Sequence, residues 1–222
     1  MPRNKRRSLI DNNLQLEEIE PLTHNQCLAF ESNNHLVLCG SAGTGKTFIS
    51  LYLAFDDILK DSYSGITLIR SAVPTRDIGF LPGSEKEKSK IYEVPYYNIC
   101  NELFHRGDAY EILKAKGIVE FMTTSYLRGL TLNDTVIIVD ETQNMTFHEL
   151  DSIITRVGKN CRIIFCGDFL QSDLKQNGLA SFVEIIKGMD CFDFIEFGVN
   201  DIVRSDFVKD YLVQKHYYTA YK

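Results

Sequence analysis

The sequence has no pair of cysteines at the C-x-x-C spacing of zinc sites and redox motifs, although it carries six cysteines in 222 residues. Cys27, Cys39, Cys100, Cys161, Cys166 and Cys191 are scattered, and Cys39 and Cys166 lie inside apolar strand-like runs. They read as reduced core residues of a soluble, cytoplasmic protein and not as a disulfide framework. No apolar run approaches the ~20 residues of a membrane span, and the basic start is not followed by a hydrophobic signal region. Positive charge is not in excess either. The 24 Lys+Arg against 30 Asp+Glu leave a formal net charge of −6, which excludes a basic face over the whole surface and confines any nucleic-acid contact to a local patch. Glycine and proline are not enriched and no internal repeat is present, so low-complexity and solenoid architectures are set aside. With 44% hydrophobic residues, the chain can bury one good-sized core, and a single domain is expected.

What is present is most specific at Gly40-Ser41-Ala42-Gly43-Thr44-Gly45-Lys46-Thr47, the full G-x-x-x-x-G-K-[ST] spacing of a phosphate-binding loop. The glycines let backbone N–H groups converge on phosphate oxygens. Lys46 is placed to reach the β- and γ-phosphates, Thr47 to hold Mg²⁺, and the following helix to present its positive end. The flanks agree with the motif. Leu36-Val37-Leu38-Cys39 reads as a buried strand, and Phe48, Ile49, Tyr52, Leu53 and Phe55 recur at helical spacing. An ATP or GTP site follows.

Residues 1–21, basic at Arg3, Lys5, Arg6 and Arg7 and then acidic, read as a mobile arm before a single domain over 22–222. Further strands are expected at 66–70, 118–122, 135–139, 162–166 and 192–197, with helices at 95–105, 108–116, 179–187 and from about 205 to 218. Thr146-x-x-Glu149 is a capping box that opens another helix. Residues 71–117 interrupt the alternation as an insertion. Within it, Gly79-Phe80-Leu81-Pro82-Gly83 and the lysines Lys86, Lys88 and Lys90 form either a polymer-contacting loop or an ordinary solvated surface segment. Apolar strands alternating with amphipathic helices predict a three-layer α/β/α fold on a mostly parallel sheet, whose ligands gather at the carboxyl ends of the strands.

The remaining polar motifs fall at those ends. Val136-Ile137-Ile138-Val139-Asp140-Glu141 has the form of a Walker B segment, with Asp140 as a metal-binding carboxylate and Glu141 as the general base for the attacking water. Gly167-Asp168-Phe169-Leu170-Gln171 leaves the next strand directly, which puts Asp168 and Gln171 in reach of the γ-phosphate. Arg128 and Arg204 are candidates for the arginine that phosphoryl transfer uses, each with a surface ion pair as its alternative. The amide of Gln26 could read an adenine edge.

These residues carry a resemblance. Asn25-Gln26, the phosphate loop, Gly79-Phe80-Leu81-Pro82-Gly83, Arg128-Gly129-Leu130-Thr131-Leu132, Asp140-Glu141-Thr142-Gln143-Asn144, the segment from Gly167 to Leu174 and Asp201-Ile202-Val203-Arg204 are similar, in order and spacing, to the PhoH-like ATPases. That family has a RecA-like core akin to superfamily 1 helicases. The resemblance implies ATP as the nucleotide, Gln26 on adenine, Gln171 coupling ATP state to motion, and Arg204 completing the site. It also implies a homo-oligomer, a hexameric ring in which Arg204 or Arg128 faces the neighbour's ATP, acting on RNA or single-stranded DNA. The competing expectation is an ATP-gated assembly or binding module without motor activity.

Overall fold

The computed structural model describes residues 14–71, 85–127, 129–168 and 178–220. Six strands, β1 (His35–Gly40), β2 (Gly65–Arg70), β3 (Val119–Thr123), β4 (Thr135–Asp140), β5 (Cys161–Gly167) and β6 (Phe192–Phe197), form one sheet in the order β3-β2-β4-β5-β1-β6. Every pairing is parallel. Strands buried on both faces need no polar alternation, which is why β4 and β2 read as continuous apolar runs.

The two faces of the sheet carry separate cores. On one, Leu36, Leu38, Ile66, Leu68, Val136 and Ile138 pack against α1 (His24–Glu31), α2 (Lys46–Leu59), α3 (Glu85–Leu103) and α4 (Ala109–Ala115). On the other, Val37, Ile69, Ile137, Val139 and Phe165 pack against α5 (Phe147–Ile154) and α6 (Leu179–Lys187). The expected α/β/α sandwich is the one observed. A last helix, α7 (Asp206–Ala220), follows the short turn Val199–Asp201. The capping box at Thr146 and Glu149 starts α5 as predicted. None of the described helices is long and apolar enough to cross a membrane.

Two expectations change. Residues 14–21, assigned to a mobile arm, lie against the core where they are described: Leu14 is buried, Leu16 and Ile19 pack on it, and the Glu17 N–H donates to the Leu103 carbonyl at 2.9 Å. Pro95, read as a helix start, is interior to α3. Its ring removes one intrahelical hydrogen bond, but Tyr96, Cys100 and Leu103 are wholly buried on that helix and tertiary packing outweighs the local penalty. Residues 85–90 accordingly form the first turns of α3 and not a loop. The Gly79 to Gly83 motif lies outside the described residues.

Helix α2 fixes the phosphate loop, so its packing is functional. Phe55, wholly buried, meets Phe104 edge-on with ring centroids 5.0 Å apart. Phe55→Ala should cost about 3–5 kcal/mol. The check is a lower urea midpoint at unchanged slope, with a change below about 1 kcal/mol contradicting this account of the core.

Candidate nucleotide-binding site

The phosphate loop joins β1 to α2, as the motif requires, and its shape depends on close approaches. Gly40 has φ 116°, and a Cβ there would lie 2.0 Å from the Phe197 carbonyl oxygen, so only glycine lets the loop leave beside β6. The Ser41 N–H donates to that same carbonyl at 3.0 Å, and the Val203 N–H donates to the Gly43 carbonyl at 3.0 Å. A methyl group on Gly43 (φ 79°) would meet Arg204 Cγ at 3.1 Å and Leu212 Cδ1 at 3.2 Å. The loop is therefore gripped by the end of β6 and covered by Arg204 and α7 of its own chain.

Lys46 Nζ donates to the carbonyls of Gly40 (2.9 Å) and Ser41 (2.7 Å). Burial depresses its pKa, opposed by the nearby acidic groups Cys166, Asp168, Glu141 and Asp140. Thr47 Oγ1 donates to Asp140 Oδ1 at 2.9 Å, and the other carboxylate oxygen accepts from the Tyr96 hydroxyl at 2.9 Å. Asp140 is 4% exposed. Burial first, and the neighbouring Glu141 second, push its pKa up against the hydrogen bonds from Thr47 and Tyr96 and the field of Arg70. Tyr96 itself is wholly buried, and burial raises its phenol well above the ordinary value.

Glu141 leaves the strand with φ 54°, a left-handed backbone costing a non-glycine residue about 1–2 kcal/mol, which turns its carboxylate back over the strand ends. Its Oε2 accepts from Gln143 Nε2 at 2.5 Å, and Gln143 Oε1 accepts from the Asp168 N–H at 3.0 Å. Because β5 lies between β1 and β4, that bridge links the acidic pair to the exit of the strand beside the phosphate loop. Arg70 closes the other side, with its guanidinium nitrogen 3.9 Å from Glu141 Oε1 and its carbon 5.8 Å from the centroid of the Tyr92 ring.

These groups line one groove of about 1150 Å³, together with Ile19, Leu22, Phe30, Phe48 and Ile99, an apolar stretch of the kind a nucleobase needs. Of the residues assigned from sequence, Gln26, Ala42, Gly43, Gly45, Lys46, Thr47, Asp140, Glu141 and Arg204 line it, whereas Gly40, Ser41 and Thr44 shape the loop from behind. Gln26 is buried and already occupied: its Oε1 accepts from the Leu22 N–H (2.8 Å), and its Nε2 donates to the Thr44 carbonyl (3.3 Å). It braces the loop, with one N–H and one lone pair left for a base. Arg128 and Gln171 lie outside the described residues. Arg70, Tyr92 and Tyr96 were given no role from the sequence, and Gln143 entered only within the Asp140 to Asn144 motif. Of the first three, Arg70 carried a usable signal, its place at the carboxyl end of a buried strand.

A phosphate loop between β1 and α2, with an acidic pair closing β4 of an all-parallel sheet, places the chain in the P-loop NTPase class with a RecA-like core. The sequence matches the profile of the PhoH-like protein family over residues 18–216, and the chain belongs to that family. It is 35% identical over 195 residues to the PhoH-like protein of Bacillus subtilis (strain 168), covering 86% of this chain and 61% of that one. To protein PhoH of Escherichia coli (strain K12) it is 32% identical over 182 residues, covering 80% and 51%. The chain thus spans less than two thirds of the length of these relatives. Among solved structures it is similar to the large terminase of a thermophilic bacteriophage, with a TM-score of 0.49 at 12% identity over 86% of this chain and 49% of that one.

The raised pKa of Asp140 means that folding burdens this carboxylate. A carboxyl whose folded pKa exceeds the unfolded value stabilises below the unfolded pKa, and that contribution is lost as pH rises through the folded pKa. At neutral pH the charge is therefore a net cost, and Asp140→Asn should raise the melting temperature of the nucleotide-free protein. MgATP should protect this variant less than wild type, and a variant that melts lower would contradict the electrostatic reading.

Proposed function

We propose that this chain is a Mg²⁺-dependent ATPase that works as a ring-forming, helicase-like or translocating motor on RNA or single-stranded DNA in the cytoplasm. The hydrolytic part rests on one arrangement: the hydrogen bonds Thr47 to Asp140 and Tyr96 to Asp140, beside a Glu141 held by Gln143.

The donors fit a hard divalent cation, since a hydroxyl and a carboxylate oxygen meet there and the buried carboxylate lacks a full counter-charge. Thr47 and Asp140 would hold Mg²⁺, which when bound supplies charge neutralisation on the β- and γ-phosphate oxygens. The loop N–H groups orient the phosphates, and Lys46 exchanges its contacts with the Gly40 and Ser41 carbonyls for phosphate oxygens. Glu141 accepts the proton of the attacking water as general base. The Gln143 link from Glu141 to the Asp168 backbone gives the segment that leads to Gln171 a route to sense whether the γ-phosphate is present.

Arg204, against Gly43 of its own loop, serves ATP in cis on this reading, and Arg128 is assigned to the neighbour's site. The motor reading and the ring come from the family likeness. A second reading, an ATP-gated assembly module, is favoured by α7, which covers the phosphate loop through Leu212 while leaving Phe207 and Tyr211 82% and 63% exposed.

Lys46→Ala and Glu141→Gln should each lower ATP turnover at least about 100-fold. Lys46→Ala should lose nucleotide binding, whereas Glu141→Gln should keep it. Mixing Lys46→Ala with Arg128→Ala should restore activity, while Lys46→Ala with Arg204→Ala should not. A monomeric mass with no recovery in either mixture rules out the ring. Turnover indifferent to saturating single-stranded RNA and DNA at low salt rules out the motor in favour of the assembly module.

A further inference from the structure

Arg70 has a setting that the hydrolytic mechanism above does not use. It ends β2, and the parallel register places it directly beside Asp140 of β4 and Thr123 of β3. Paired residues of neighbouring strands point to the same face, so Arg70 continues the row of Ile66 and Leu68 as Asp140 continues that of Val136 and Ile138. The sheet itself therefore delivers the guanidinium beside Asp140, and the left-handed turn at Glu141 brings the second carboxylate within 3.9 Å of it. Helix α3 then meets it from above. Tyr92 and Tyr96 are one helical turn apart, so the same face of α3 lays one ring under Arg70 and hydrogen-bonds Asp140 with the other.

We propose that Arg70 is a positioning residue for Glu141, built into the same chain: it holds the base by charge, while Tyr92 holds Arg70. This rests on the hydrolase reading. Glu141 has two oxygens to restrain. Gln143 donates to Oε2 at 2.5 Å, and the only cation paired with Oε1 among the described residues is Arg70 at 3.9 Å. The longer separation suits the role. A short bidentate guanidinium pair would occupy the lone pairs that must take up a proton from water, whereas a charge 3.9 Å away orients the carboxylate and offsets Asp140 while leaving Oε1 open. The Arg70 side chain is 22% exposed and the Glu141 side chain 38%, so the pair lies at the groove wall where water and phosphate enter, and not in the core.

The test is a double-substitution cycle in the full chain, reading kcat for ATP and, separately, the dissociation constant of a fluorescent ATP analogue with Mg²⁺. Arg70→Gln should lower kcat about 10- to 100-fold with binding changed less than about threefold. Arg70→Lys, which keeps the charge but not the plane that rests on Tyr92, should recover part of that loss. Tyr92→Leu should lower kcat by less than Arg70→Gln does. In a Glu141→Gln background, Arg70→Gln should add almost nothing, because the group it positions is already disabled. An Arg70→Gln protein with wild-type kcat, an equal loss in both backgrounds, or a loss confined to binding would overturn the proposal. A wild type that hydrolyses no nucleoside triphosphate overturns the hydrolase reading and this one together, whereas an active wild type indifferent to Arg70 overturns this one alone.

Discussion

The register of the parallel sheet is the constraint on which the site depends. Cys39 is level with Gly167, Gly40 with Phe197 and Arg70 with Asp140, so the strands end at one level, and Glu141 and Asp168, which follow β4 and β5, face the same groove as Arg70 and Asp140. A slip of one residue in β2 or β4 would send Arg70 or Asp140 to the opposite face. What prevents it is the apolar content of both faces: the same slip would exchange Leu68 and Ile138 with Ile69 and Val139 between two cores of different shape. The precision of the polar edge is thus inherited from side chains that touch no ligand.

That edge is electrostatically expensive. Asp140 is buried beside Glu141, and the protein restrains this like-charged pair with neutral donors, Thr47, Tyr96 and Gln143, and with one partly exposed arginine. No cation forms a close salt bridge with Asp140 among the described residues, which preserves its capacity to meet a metal. Lys46 is treated in the opposite sense. Burial lowers its pKa while two backbone carbonyls satisfy its donors, a state of the loop that an incoming phosphate can outcompete because carbonyl dipoles are weaker acceptors than phosphate anions. Both costly features are tolerable because the two cores on either side of the sheet do not rely on them.

Motifs made within one turn of chain were legible in the sequence, and meetings across the chain were not. The loop from Gly40 to Thr47, the pair Asp140 and Glu141, and the cap at Thr146 are local patterns with their own chemistry. The strands were readable within about a residue because fully buried strands are uninterrupted apolar runs. Tyr96, by contrast, sits 44 residues before Asp140 on a helix whose interior proline has the look of a start, so the helix reads ten residues short at its amino end (Glu85 against Pro95) and its partner could not be inferred. Residues 14–21 differ from expectation for a related reason. Glu17, Glu18 and Glu20 give the stretch the look of a solvated arm, while the spacing of Leu14, Leu16 and Ile19 is enough to lay it on the core. The segment from 71 to 117, which reads as an interruption, contributes α3 and with it the hydroxyl on Asp140.

A single core of this kind was expected to lack half of its catalytic charge and to borrow it from a neighbour. The groove weakens that premise. Arg70 approaches from β2 and Arg204 from the far side of the loop, so with Lys46 three cations of one chain share the groove with Asp140, Glu141 and Asp168 at the strand ends and with Glu18, Glu20 and Glu102 along its wall. The three cations match the strand-end carboxylates, while the wall glutamates leave the groove net negative, so on the proposed function a bound MgATP would depend on the loop N–H groups and the amino end of α2 as well as on these side chains. In the proposed ring, a neighbouring subunit would then have less to supply than an entire catalytic half: a group that closes the open side of the groove and excludes water. On that proposal, a site with its own arginines but an open wall would bind nucleotide alone and need the assembly for turnover, which is the division that the mixed-variant assay separates.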